Sequence, residues 1–359
     1  MPSVKWVVMK PMKRLINQNK IIKITLQSLP ILLVAIVFVI YALSFLPYSE
    51  KEMKESAALV ECKQCIELKA DGHAIAWIRC LTDSLTANSI SAVGDTTLMN
   101  SGYTTACWVN RYPFWPSCQG RMITADASQA LYQKVDNANQ NIPHLMNNAI
   151  CQLENKLKRL QQKSEEVHYY LSVHNVSDVG YNTIAALEDQ LQVKTKETEK
   201  ALKALEKSKN SKHIKLAVVQ RYTLFYTDSA GKQCHIACNR LTPQGKSACC
   251  LLQTASKATE GNAQALSLHK CFTALPASGK PLLSASFVGC QQYGYNATKA
   301  QADLFEGKTE GHGRHNIPPL LCPDGSPLFT KSGHFVGINI KGNAIEASQL
   351  GFGLKELLP

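Results

Sequence analysis

From Leu29 to Tyr48 the chain reads LPILLVAIVFVIYALSFLPY, twenty consecutive residues without a charged side chain. At about 1.5 Å per residue, such a helix spans a hydrocarbon core of roughly 30 Å. Lipid offers backbone polar groups no partners, so a helix that satisfies them internally is what this run predicts. Pro30 falls in the first turn, where a missing N–H costs little, and Pro47 with Tyr48 falls at the far interface, where an amphipathic ring is stable. A cleaved signal peptide would need a shorter apolar core and a small-x-small site, which Ser44-Phe45-Leu46 does not provide.

The flanking charges orient the span. Residues 1–28 carry Lys5, Lys10, Lys13, Arg14, Lys20 and Lys23 and no acid. The positive-inside rule therefore places this segment in the cytoplasm and residues 49–359 outside it, which predicts an inner-membrane protein with a periplasmic or extracytoplasmic ectodomain. Those six cations are half of the net charge of +12. The remainder is only mildly basic, against a dedicated nucleic-acid binder, which clusters cations on a folded face. Hydrophobic residues at 45% exclude wholesale disorder.

All 13 cysteines follow the apolar run, on the side where disulfides persist. Cys62, Cys65, Cys80, Cys107, Cys118, Cys234, Cys238, Cys271, Cys290 and Cys322 are the candidates for bonding, and the odd total leaves at least one thiol over. Cys62-x-x-Cys65 admits three readings: a structural disulfide, half a zinc site, or a redox pair, the last needing the first Cys at a helix N-terminus. Cys249-Cys250 on a strand puts one thiol on each face, so one of them is expected to bond across the sheet or to another chain.

Composition divides the ectodomain in three. Residues 49–125 read as a small Cys-containing segment of turns and irregular structure. Residues 126–210 read as helical, with Met146, Ile150, Leu153, Leu157, Leu160, Val167 and Leu171 repeating at steps of 3, 4 and 7 as in a coiled coil. A straight helix of that length reaches roughly 120 Å and would self-associate through its seam, making a homo-oligomer; a hairpin turning near Asn175–Gly180 reaches half as far. His174 and Asp178 in that break are read as fixing register or capping the restarting helix. Residues 211–359 alternate with period two: a strand at Val218–Tyr226, a turn over 227–232, a partner strand at Gln233–Arg240, and further short strands at Ala248–Thr254, Leu282–Cys290 and His334–Ile340. The fold class is thus α+β and multidomain, with a C-terminal antiparallel β-barrel or sandwich.

Cys322-Pro323-Asp324-Gly325-Ser326-Pro327-Leu328, followed by Gly333-His334-Phe335-Val336-Gly337-Ile338, resembles the nucleophile segment of trypsin-like serine proteases. There Gly-Asp-Ser-Gly-x-Pro precedes a hairpin and a strand ending in Val-Gly-Ile. On that resemblance the nucleophile position falls on Asp324. Leu251 to Lys257 is similar to the segment ending Thr-Ala-Ala-His, which puts Lys257 at the base. An Asp carboxylate beside a Lys ammonium is an ion pair, not a nucleophile and base, so the resemblance implies a protease-like domain without its chemistry. Ser326 is the shifted catalytic candidate, with His269, His312, His315 or His334 as base, although Pro327 restricts its backbone. His312 and His315 are also the candidate metal ligands, with no third at a diagnostic spacing.

The reading that follows is a membrane-anchored structural or interaction protein of a cell envelope. It carries an inactive protease-like β domain held off the membrane by the helical stalk, needs no cofactor, and binds a protein partner. A tethered protease using Ser326 and a thiol-disulfide protein using Cys62 and Cys65 are the alternatives.

Overall fold

The computed structural model describes residues 34–36, 38–39, 46–81, 86, 89–110, 118–126, 128–209, 211, 213–228, 230–242, 248–268, 275–288 and 301–346. The expected span over 29–48 falls mostly outside these. Of it, 34–36 and 38–39 are helical, and no helix among the described residues is long and apolar enough to cross a membrane.

The chain enters the fold through helix α1 (Glu50–Glu55), whose capping box is Ser49 with Glu52. Five strands follow: β1 (Ala57–Ala70), β2 (His73–Ile78), β3 (Ile90–Ala92), β4 (Asn100–Trp108) and β5 (Arg121–Ala125). Helices α2 (Gln129–Ala138), α3 (Ile142–Val173) and α4 (Tyr181–Ser208) interrupt the sheet. Then come β6 (Ile214–Thr227), β7 (Gln233–Arg240) and β8 (Cys249–Thr254). These eight strands are ordered β3-β2-β1-β4-β5-β8-β7-β6, and β6 returns to pair with β1 from Leu59↔Phe225 to Ala70↔Ile214. The pairing closes β1, β4, β5, β8, β7 and β6 into a six-stranded antiparallel barrel, which leaves those strands no free edge.

Two divisions drawn from composition are corrected here. Residues 49–125 are not an irregular segment but one half of the barrel; residues 211–359 are not one unit, because β6–β8 supply the other half. β1 disguises itself because it is buried on both faces, so no alternation shows, and because its acids are satisfied internally: Ser101 donates to Glu61, and Trp77 Nε1 donates to Glu67 at 3.1 Å. The helices therefore form an arm inserted between β5 and β6, not a stalk between membrane and β domain.

β1 and β6 have 14 residues each, about 45 Å, longer than the barrel needs. Their outer halves continue with β2 and β3 as a sheet whose Ile66, Leu68, Ile78, Ile90, Leu216 and Val218 pack under Val135, Met146, Leu153, Ala201 and Leu205 of the helices. Burying each large side chain there stabilises the dock by about 1.5–3 kcal/mol. Of the two helical alternatives, the hairpin is observed: α3 packs along α4, and the seam residues Leu157, Leu160, Val167 and Leu171 are half-buried within the pair. Gly180, at φ 91°, takes the left-handed conformation that starts α4. His174 and Asp178 do not share a helix face; His174 stacks on Tyr170 at 3.9 Å and Asp178 accepts from the Asn175 N–H at 3.0 Å, closing the turn.

The second sheet is ordered β10-β9-β11-β12-β13, from β9 (Pro281–Ser286), β10 (Asp303–Lys308), β11 (Pro327–Thr330), β12 (Phe335–Ile340) and β13 (Asn343–Glu346). Its Ala285, Phe329, Phe335 and Ile338 pack against Leu59, Cys107, Ile123 and Leu251 on the outside of the barrel. A separate cluster of Leu282, Ile317, Cys322, Leu328 and Val336 backs its other face.

The disulfide expectation is not met: the eleven described cysteines all carry free thiols, with Cys271 and Cys290 outside the described residues. Cys62 and Cys65 lie three positions apart on one strand, which separates them by about 10 Å and turns them to opposite faces. Cys62 joins the barrel interior, whereas Cys65 lies with Trp77, Leu98 and Met99. Cys249 and Cys250 are both buried because β8 has no solvent face: one thiol lies between the sheets, the other inside the barrel.

Candidate functional site

The turn before β11 is where chemistry was expected, and it is pressed against the barrel. Gly325 has φ 87°, and an added Cβ would collide with the Thr105 carbonyl and the Thr124 hydroxyl. Thr104 Oγ1 donates to the Asp324 carbonyl at 2.6 Å, fixing the turn to β4. Only a glycine fits a position that is both left-handed and this close to a neighbouring backbone.

Ser326 is fully buried, and its Oγ donates to the Pro323 carbonyl at 2.6 Å. The hydroxyl proton is therefore held by a backbone acceptor of its own turn, not by a base. Asp324 is half-buried and its Oδ1 accepts from the Lys341 N–H at 2.6 Å. The N–H of Cys322, two residues before Asp324, donates to the Pro318 carbonyl at 3.0 Å. In serine proteases the backbone N–H groups at the nucleophile and two residues earlier hold the oxyanion. Here one of that pair of donors is already spent.

Behind the turn stands Asn339. Its Nδ2 donates to the carbonyls of Cys322 at 2.6 Å and Pro323 at 3.3 Å, so its Oδ1 must accept. Oδ1 takes the Gly342 N–H at 3.1 Å and lies 2.9 Å from His315 Nε2, which fixes the Nε2–H tautomer of His315. The Asn339 backbone also exchanges hydrogen bonds with the turn, from its N–H to Ser326 O at 2.9 Å and from the Gly325 N–H to its own carbonyl at 2.8 Å. Burial holds the imidazole neutral, below its ordinary pKa, against the opposing pull of Asn339 and Glu310. Its Nδ1 is buried with no hydrogen-bond partner among the described residues. His315 thus braces the turn through Asn339 instead of reaching Ser326.

The remaining candidates are dispersed. His312 is exposed at φ 62° while His315 is buried, so the two are not brought together, and no group of three metal-ligating side chains occurs among the described residues. His269 lies outside them. Lys257 is not beside Asp324: it follows the end of β8 that pairs near Arg121, whereas the turn contacts Thr124 at the other end of β5. The strands that meet the turn are instead β4, through Thr104 and Thr105, and β5, through Thr124.

Asp126 is the residue that spacing could not reveal. Its buried carboxylate pairs with Arg240 Nη2 at 2.7 Å, 114 residues away in sequence, and takes the N–H of Ser128 at 3.1 Å. Burial pushes its pKa up, but Arg240 and Ser128 outweigh that and hold it below the usual carboxylate range. Arg240 Nη1 and the Tyr132 hydroxyl converge on Gln220 Oε1 at 2.9 and 3.0 Å, which ties the root of the arm to β6 and β7. Cys62 and Cys65 offer no reactive alternative, since burial raises both thiols to about 11.

No protein-family model matches the chain, and no curated protein matches it by sequence. Among solved structures it is similar to Deg5, with 13% identity and a TM-score of 0.32 over 83% of this chain and 86% of that one. It is also similar to the MamO protease domain from Magnetospirillum magneticum, with 14% identity and a TM-score of 0.25 over 36% of this chain and 72% of that one. Superpositions this loose leave the likeness to be judged from the strand order and the turn.

Proposed function

We propose that this chain is a membrane-anchored interaction protein of a cell envelope, built on a serine-protease-like β scaffold that has no nucleophile. The observation that carries the reading is Ser326: a fully buried hydroxyl whose proton goes to the Pro323 carbonyl. Supporting it, the resemblance puts the nucleophile on Asp324, a carboxylate that accepts from the Lys341 N–H, and the base on Lys257, which is not beside it. The closed six-stranded barrel facing a second sheet across Leu59, Ile123, Phe329 and Phe335 supports the protease-like scaffold.

The anchor is the apolar run. Val34, Ile36, Phe38 and Val39 lie on helical backbone and are all at least half exposed, as lipid-facing residues are. With six cations and no acid before it, the ectodomain lies outside the cytoplasm.

The arm is the binding element. Beyond Leu153 it extends about 30 Å from the sheet. Its tip exposes Tyr169, Val173, Val176 and Val179, and residues 164–193 contain five acids and no Lys or Arg. A protein partner with a cationic surface and an apolar pocket complements that tip.

Labelling of the full chain in detergent with a fluorophosphonate probe tests the reading. No adduct is expected at any serine; an adduct at Ser326 replaces it with a tethered protease.

A further inference from the structure

The end of the uncharged run is seated in the fold. The Tyr48 N–H donates to the Gly333 carbonyl at 2.9 Å, in the turn between β11 and β12. The Tyr48 hydroxyl accepts the Ser267 N–H at 2.9 Å, and its ring meets Phe329 edge-on at 6.3 Å between centroids. A Cβ on Gly333 would collide with the Tyr48 carbonyl, so the contact is close on both sides. Ser49 then caps α1 directly, and Lys54 of α1 pairs with Asp303 of β10 at 3.0 Å. Tyr48 is therefore both the last residue of the uncharged run and a packed part of the β domain.

Geometry follows from that double role. Leu46, Pro47 and Tyr48 are not helical, so any spanning helix of this run ends before Leu46, and Tyr48 lies at or just beyond the interface. The slack between such a helix and Tyr48 is three residues, roughly 10 Å of extended chain, close to the depth of one headgroup layer. The 330–334 turn then cannot leave the bilayer surface while Tyr48 stays in its seat. The side chains there suit it: Lys331 and Ser332 are exposed, and the exposed Lys331–Glu306 pair at 3.4 Å is weak enough to give the ammonium to phosphate.

We propose that the β11–β12 turn, Thr330 to His334, rests on the phospholipid headgroups of the bilayer that anchors the chain. This rests on the membrane-span reading above. The second sheet is then a membrane-apposed base, not a domain held away from lipid, and whatever binds the arm must approach a body already lying on the surface.

The test uses the full chain in nanodiscs of phosphatidylcholine and phosphatidylglycerol. Ser332→Trp, Val176→Trp and Phe38→Trp are each compared with the parent protein, whose native tryptophans set the background. Lipid bearing a nitroxide on its headgroup should quench the added Ser332→Trp fluorescence at least twofold and leave that of Val176→Trp, at the arm tip, unchanged. Acyl-chain-brominated lipid should quench Phe38→Trp. Unquenched Ser332→Trp with quenched Phe38→Trp overturns the apposition and leaves the span standing. Unquenched Phe38→Trp removes the span and the apposition together. Because residue 332 is exposed, folding of the variant is checked by an unchanged melting temperature.

Discussion

At the scale of single residues, the turn at 322–327 behaves as a structural element, held by Thr104, Asn339 and its own Pro323 carbonyl. Gly325→Ala should cost about 3 kcal/mol or more in denaturant unfolding, because left-handed strain adds to a collision with Thr105; an unchanged midpoint would show that the turn is not held as described. Arg240→Met should cost about 3–5 kcal/mol by leaving Asp126 charged and buried, and adding Asp126→Asn should recover part of that loss in a double-mutant cycle. His315 supplies a pH signature. Its folded pKa is depressed, so the unfolded chain takes up the proton first, and stability falls as pH drops below the ordinary value of 6.5. The slope from this group is at most about 1.4 kcal/mol per pH unit. Wild type minus His315→Gln, followed by urea unfolding between pH 5 and 8, should show that slope; a flat difference would mean that the imidazole is not buried neutral.

At the scale of elements, alternation was clearest in sequence where a strand keeps one wet face. Val218–Tyr226 and Gln233–Arg240 alternate because β6 and β7 are buried on one side only over much of their length, and their turn falls where Thr227 meets Gln233. The break at 174–180 was visible in its Asn, Ser and Gly content, and the structure makes it the tip of a hairpin. β1 and β5 were missed because both their faces are covered, which erases the period-two signal; β8, equally covered, was read as a strand at Ala248–Thr254 from its apolar run. The seam of α3 was legible, but its partner was not: half of it meets α4 and half meets the sheet, and a repeat of 3 and 4 does not say which. The arm can be tested as an element. Leu205→Ala, at the dock, should destabilise by about 2–5 kcal/mol, whereas Val176→Ser and Val179→Ser at the tip should stay within about 0.5 kcal/mol and lower only partner binding. Loss of folding from the tip variants would show that the tip is covered in the native molecule.

At the scale of the whole molecule, the order of the elements explains why the domain boundaries drawn from composition failed. The barrel is split in sequence by about ninety residues of helix and turn, from Ala125 to Ile214, and is rejoined by the β1–β6 ladder. Composition shifts mark where helices begin and end, not which strands close on each other. The candidate site was half legible for the same reason. Asp324-Gly325-Ser326-Pro327 is local and could be recognised, but its neighbours Thr105 and Thr124 are remote in sequence, and Lys257 follows the end of β8 that lies away from it. The account's central claim is that this scaffold performs no acyl transfer. The most direct measurement is turnover of a diverse peptide library by the full chain in detergent, read by mass spectrometry beside Ser326→Ala. The prediction is that both give the same cleavage as buffer alone. Cleavage by the wild-type chain that disappears in Ser326→Ala would contradict it.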